Sequence, residues 1–268
     1  MALPLPSSLS PSKVASFKDC ALAFRFSTID RLPEPPSAAA TKGTLVHRAL
    51  ELLFCRPPGD RSLAGGLECL DRARAELLTD PEFVGLELTS AEMAEFFAEA
   101  ETLVRRYFLL EDPASVRPVG LELRLEASLG SLTLRGVIDR LDLDDDGQFV
   151  VTDYKTGKVP GVSHEQNRLG GVHFYAFLCE QALGRRPSRI QLLYLSEPVA
   201  IVARPSDQSI RGLRQRATAI WSAVERACHN DDFRPRPSPL CQWCSFQSYC
   251  PAFGGDPSRA ADLVTSSG

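Results

Sequence analysis

Hydrophobic residues recur along this chain in two periods, and the change of period divides it. Val14, Phe17, Ala21 and Phe24 return every three or four residues and predict a helix with Ser12 as its N-cap. Leu45, Val46, Ala49, Leu50, Leu53 and Phe54 predict a second helix over 44–54, entered through Gly43. Two more are predicted over 67–78 and 90–110, the latter long and amphipathic, while the glycine-bearing stretch 56–66 reads as a loop. From Val119 the period falls to two. Segments 119–126, 132–143 and 149–154 predict strands of an antiparallel meander, with Leu134, Gly136, Ile138 and Arg140 sharing one face. Asp144-Asp145-Asp146-Gly147 reads as a hairpin turn, and Asp142 is read with it as solvated. A helix over 163–183, strands over 190–196 and 199–203, and a helix over 206–228 follow. A Cys- and Pro-rich irregular segment comes last.

That order predicts an α/β protein: one continuous domain, with a mixed sheet core and a helical insertion ahead of the sheet. Residues 1–9 and 254–268 read as disordered tails.

Composition alters this picture in three respects. No apolar run in the 268 residues approaches the roughly 18 that a membrane span needs. The first dozen residues lack the basic and apolar stretches of a secretory signal, which predicts a cytoplasmic protein. In a reducing compartment the eight cysteines read first as metal ligands or buried apolar groups, not disulfides. The net charge of -4 excludes a purely electrostatic nucleic-acid binder, though not an enzyme with a local basic groove. One such local excess, seven Arg against four acids, runs from Arg204 to Arg236. Only five of the thirty basic residues are Lys, so a lysine here merits notice.

Two constellations carry chemistry. Asp139 ends one predicted strand and Asp153 the next, and Lys155 shares a face with Asp153 while Tyr154 points the other way. Two carboxylates and an ammonium on one sheet face suit a hard cation, Mg²⁺ or Mn²⁺, that activates water against a phosphate. The second is Cys241-x2-Cys244-x5-Cys250, for which Cys20 is the best fourth ligand. Its spacing leaves tetrahedral Zn²⁺ and a [4Fe–4S] cluster both open. Cys55, Cys69, Cys179 and Cys228 sit among apolar residues and read as small buried hydrophobes. Phe174, Tyr175 and Trp243 are aromatic candidates for stacking on bases, with core packing as the commoner fate.

Together, Ser10 to Cys20, Gly43-Thr-Leu-Val-His47, Gly136-Val-Ile-Asp139-Arg, Asp153-Tyr-Lys155, Tyr175 and the terminal cysteines resemble the RecB-like nucleases of the PD-(D/E)xK superfamily, in their cluster-bearing form. The resemblance implies a restriction-endonuclease-like mixed sheet flanked by helices. It implies a single nuclease domain over 10–253, an insertion over about 56–115, and a Cys-rich segment over 234–253 joined by Cys20. It implies a Mg²⁺- or Mn²⁺-dependent DNA exonuclease of repair or recombination. His47, Asp139, Asp153 and the Tyr154 carbonyl would hold the metal, and Lys155 would be the catalytic lysine. Cys20, Cys241, Cys244 and Cys250 would hold [4Fe–4S], with zinc as the alternative. Glu122 and Tyr175 would lie on the substrate side. The partners implied are DNA, single-stranded or with free ends, and a helicase or other repair protein, with no membrane. Since the chain has no Gly-x-x-x-x-Gly-Lys-Ser/Thr, a motor would have to come from elsewhere. The chain departs from the family at Gly171, where many relatives carry a Gln four residues before the Tyr, and Gln166 is out of register. That departure motivates a rival expectation: a non-catalytic or partner-dependent DNA-binding scaffold that keeps the nuclease fold.

Overall fold

The computed structural model describes residues 2–159 and 162–260, the side chains of 162–170 excepted. The elements in chain order are α1 (Pro11–Asp19), α2 (Ala21–Phe24), α3 (Ala38–Phe54), α4 (Leu63–Leu77), α5 (Pro81–Val84), α6 (Ser90–Tyr107), β1 (Arg117–Leu129), β2 (Leu132–Leu143), β3 (Phe149–Lys155), α7 (Val162–Leu183), β4 (Arg189–Tyr194), β5 (Val199–Ala203) and α8 (Asp207–Asn230). The five strands form one sheet in sequence order. β2 and β3 pair antiparallel, β3 and β4 parallel, and β4 and β5 antiparallel. The expected mixed sheet with flanking helices is therefore the observed fold.

The chain gathers into two compact units. One comprises the residues up to Pro35, Glu126–Gly136 at the tip of the β1–β2 hairpin, and the chain from Arg211 onward. The other comprises Pro36–Leu125 and Val137–Ile210, and it holds most of the sheet. In this second unit a continuous apolar cluster joins α3, α4 and α6 to Tyr154 and Leu193 of β3 and β4. α3 supplies Leu45, Val46, Ala49, Leu50 and Leu53 at helical spacing, all nearly sealed from water.

Several local expectations give way, each for a physical reason. α1 is capped by Ser10, whose hydroxyl accepts from the Lys13 amide at 3.2 Å; Pro11 then fills the first turn, where its missing N–H costs nothing. α3 starts at Ala38 under a Ser37 cap, and Gly43 lies inside it as a point of close approach. A Cβ at Gly43 would stand 3.2 Å from the Thr156 hydroxyl, just beyond β3. The expected loop 56–66 already contains the start of α4, capped by Ser62. Its glycines are there for space: a Cβ on Gly65 would lie 2.3 Å from the Asp60 carbonyl oxygen, and one on Gly66 2.8 Å from the Phe108 ring. Cys69, Cys179 and Cys228 are buried as expected, but Cys55 is exposed because it follows the last turn of α3. Asp142 is not a solvated turn residue. It is buried on β2, and its oxygens accept from Arg140 Nε at 2.8 and 3.0 Å.

Gly65→Ala separates the two readings of α4. Helix propensity alone predicts a gain of about 1 kcal/mol. The clash with Asp60 predicts instead a loss of roughly 1–3 kcal/mol, read as a lower urea midpoint at unchanged slope.

Candidate active site

β2 and β3 bring the predicted acids together through their register. Arg140 pairs with Thr152, so one residue further on Asp139 stands opposite Asp153. The Tyr154 amide donates to Asp139 Oδ2 at 2.7 Å and fixes that carboxylate against β3. Asp153 forms an ion pair with Lys155, its neighbour two residues along the same face. The Tyr175 hydroxyl of α7 lies 3.4 Å from Asp153 Oδ1. From α3, His47 presents Nδ1 at 3.6 Å from Asp139 Oδ2 and Nε2 at 3.1 Å from the Tyr154 carbonyl oxygen.

Glu122 joins this group. One ligand atom each from His47, Glu122 and Asp139 lie within 4.8 Å of one another. Glu122 has a φ of +44°, a left-handed value rare for a residue with a side chain, in the middle of β1. Strain of this kind persists where surrounding structure holds it, often at a functional site. The tightest trio thus contains Glu122 where the sequence expectation placed Asp153. Asp153 stands beside it, engaged with Lys155 and Tyr175. A cavity of about 610 Å³ opens here, lined by Gly43, Thr44, His47, Glu122, Arg124 and Val137 among others. Phe174 is buried and so is no stacking surface, whereas Trp243, in the other unit, is 72% exposed.

The electrostatics show what this site lacks. Burial and then the Asp153 charge push the Asp139 carboxyl up to about 7, against the pull of the Tyr154 amide and Lys155. Burial and then Asp139 raise Glu122. Burial lowers His47 despite the neighbouring carboxylates. These acids are crowded and short of positive charge. Carboxylate, imidazole and carbonyl donors suit a divalent ion such as Mn²⁺ or Mg²⁺. Neighbouring ligands about 2.1 Å from a six-coordinate ion lie roughly 3 Å apart, near the 3.1 Å between His47 Nε2 and the Tyr154 oxygen. The residues present therefore fit a divalent cation.

In the other unit, segments far apart in the sequence meet. Cys20, Cys241, Cys244 and Cys250 all line one cavity of about 490 Å³. Burial raises the Cys244 thiol, and the other three sulfurs raise it further. The Arg236 amide donates to Cys20 Sγ at 3.5 Å and the Ser238 amide to Cys241 Sγ at 3.3 Å. Four cysteines on one cavity, with backbone donors to two of the sulfurs, fit a thiolate-held metal centre.

A mixed five-stranded sheet flanked by helices, with acids clustered on its central strands, is the architecture of the PD-(D/E)XK nuclease-like fold. The PD-(D/E)XK nuclease superfamily model matches residues 8–251, and the chain belongs to that superfamily. It is similar to the Gene 69 protein of Mycobacterium phage D29, at 24% identity over 275 residues, spanning 91% of this chain and 96% of the phage protein. It is also similar to an ATP-dependent helicase/nuclease polypeptide of Moorella thermoacetica, at 30% identity over 173 residues. That match spans 59% of this chain and 12% of the longer Moorella protein. A candidate exonuclease of Eubacterium rectale shares the fold with a TM-score of 0.51 at 13% identity, over 89% of this chain and 87% of that one.

The raised Asp139 carboxyl has a consequence for the metal-free protein. Its folded value lies above that of the unfolded chain, so its contribution to stability is full at low pH and is lost as pH rises from about 4 to about 7. Asp139→Asn in EDTA should therefore raise stability above pH 7, by a few kcal/mol, and raise it much less at pH 4. Urea titrations across pH measure this.

Proposed function

We propose that this chain is a divalent-metal-dependent nuclease that degrades DNA from an end. The observation that carries the reading is the convergence of His47, Glu122 and Asp139 beside the Asp153–Lys155 pair. His47, Asp139, Asp153 and the Tyr154 carbonyl hold a Mg²⁺ or Mn²⁺ ion, with Glu122 added to the set that the sequence suggested. A bound ion of this kind lowers the pKa of water and offsets phosphate charge. The chain's own residues do the rest. Asp153 holds the Lys155 ammonium at the site. Lys155 orients the attacking water and offsets negative charge that builds on the phosphoryl oxygens. The water oxygen bonds to phosphorus as the P–O ester bond breaks; the water gives up a proton to solvent, and the departing oxygen takes one from solvent to leave as a hydroxyl. Tyr175, through its hydroxyl, restrains Asp153. The similarity to a helicase/nuclease polypeptide supports a role in repair or recombination alongside a helicase.

The four cysteines hold a structural [4Fe–4S] cluster. Tetrahedral zinc at about 2.3 Å would draw sulfurs to roughly 3.8 Å from one another. One Cys-x2-Cys pair with two more widely spaced cysteines around a single roomy cavity suits the larger cuboidal group.

Two experiments test the reading. Anaerobically purified protein with Mn²⁺ or Mg²⁺ should shorten end-labelled single-stranded DNA, and the labelled end gives the polarity. Lys155→Ala should lower the rate by about 100-fold or more while retaining the native circular dichroism spectrum. No cleavage by folded, metal-loaded wild type would leave the scaffold reading in its place. For the second centre, iron and sulfide analysis should find both elements. Cys244→Ser should lose the brown visible absorbance and melt at lower temperature. A colourless, zinc-bearing wild type would replace the cluster with zinc.

A further inference from the structure

Directly behind the candidate metal site lies a group that the reaction does not use. Arg140 follows Asp139 on β2 and so faces the opposite side of the sheet, where it is wholly withdrawn from water. Its five N–H donors all find acceptors. Nε reaches both oxygens of Asp142 at 2.8 and 3.0 Å. Nη1 reaches Glu111 Oε1 at 2.5 Å and the Tyr154 hydroxyl at 2.6 Å. Nη2 reaches Glu111 Oε2 at 3.1 Å and Thr152 Oγ1 at 3.2 Å. The web extends outward: Tyr107 donates to Glu111 at 2.6 Å, and Gln191 of β4 donates to Thr152 at 2.9 Å. The guanidinium carbon lies 4.2 Å from the Phe54 ring centroid at the end of α3, the helix that bears His47.

One cation thus ties together β2, β3, β4, α3 and the chain just beyond α6. A buried ion pair is a weak stabiliser, because desolvation cancels much of its attraction. What it provides is directional: the planar fork accepts partners in one arrangement only. The held residues alternate with the functional ones. Arg140 neighbours Asp139, and Thr152 and Tyr154 flank Asp153. Tyr154 belongs to both sets, with its hydroxyl on Arg140 and its carbonyl beside His47.

We infer that Arg140, through Tyr154 and Glu111, is a positioning residue that sets the geometry of the metal ligands on the opposite sheet face. This rests on the metal-dependent reading above. Groups behind metal ligands typically govern affinity by about 10- to 100-fold when removed.

The test is calorimetric titration of the full-length protein with Mn²⁺, without DNA. Tyr154→Phe removes one hydroxyl and leaves the carbonyl in place, so it should fold. It should bind Mn²⁺ about 10-fold more weakly. Arg140→Lys keeps the charge but loses the fork, and it should bind more weakly still. Phe83→Leu, which loosens the Phe83–Phe96–Phe97 cluster in the first half of α6, away from Tyr107 at its far end, should bind as the wild type does, which separates positioning from general stability. Wild-type affinity in Tyr154→Phe would overturn the inference and leave the nuclease reading standing. A wild type that binds no Mn²⁺ would overturn both.

Discussion

The pleat of two adjacent strands is the constraint on which the rest of this structure depends. Side chains along β2 and β3 alternate between two faces, and neither face is left to solvent alone. Asp139, Asp153 and Lys155 fall on one side; Arg140, Asp142, Thr152 and Tyr154 fall on the other. A slip of one residue between these strands would move acids into the helix-covered core and aim the guanidinium at the site. The register therefore serves both faces at once, and each face holds it against slippage of the other.

The two faces meet the problem of buried charge in opposite ways. Behind the sheet, one guanidinium offsets Glu111 and Asp142, and every donor it has is used. On the other face, Glu122, Asp139 and Asp153 gather near a single ammonium, and burial with mutual repulsion pushes Glu122 and Asp139 up toward their neutral forms. A face that had been optimised for stability alone would have shed one of these carboxylates or added a partner. Positive φ at Glu122 adds backbone strain in the same place. Crowded acids and a strained backbone beside a cavity are the marks of a candidate functional site.

The other unit shows the same economy in a different chemistry. Its cysteines come from the first helices and from the last described turns, so nothing local in the sequence brings Cys20 near Cys244. The segment bearing Cys241, Cys244 and Cys250 consists of short 3₁₀ turns with little apolar burial. Such a segment holds its shape poorly by packing alone, which is where a shared metal centre contributes most.

Much was legible before the structure. The bounds of β2 and β5 follow from alternation, and those of β3, α6 and α7 lie within a few residues of where periodicity put them. Asp139, Asp153, Lys155 and His47 stood out because spacing on a strand or a helix says which face a residue takes. What could not be read was what lies opposite a face. Gly65 and Gly66 looked like breakers because the crowding by Asp60 and Phe108 that requires them comes from other segments. Asp142 looked like a turn residue because its partner's burial depends on how α3, α6 and β4 close over it. Glu122 was suggested by the family resemblance alone, since the positive φ that sets it in β1 leaves no mark in the alternation of the strand. The sequence by itself determined the elements, their faces and the chemistry they carry, since these follow from covalent geometry and local periodicity. Which faces meet, and so which charges stand without water or partner, was decided by tertiary packing, since desolvation and Coulomb energy depend on distances between segments far apart in the chain.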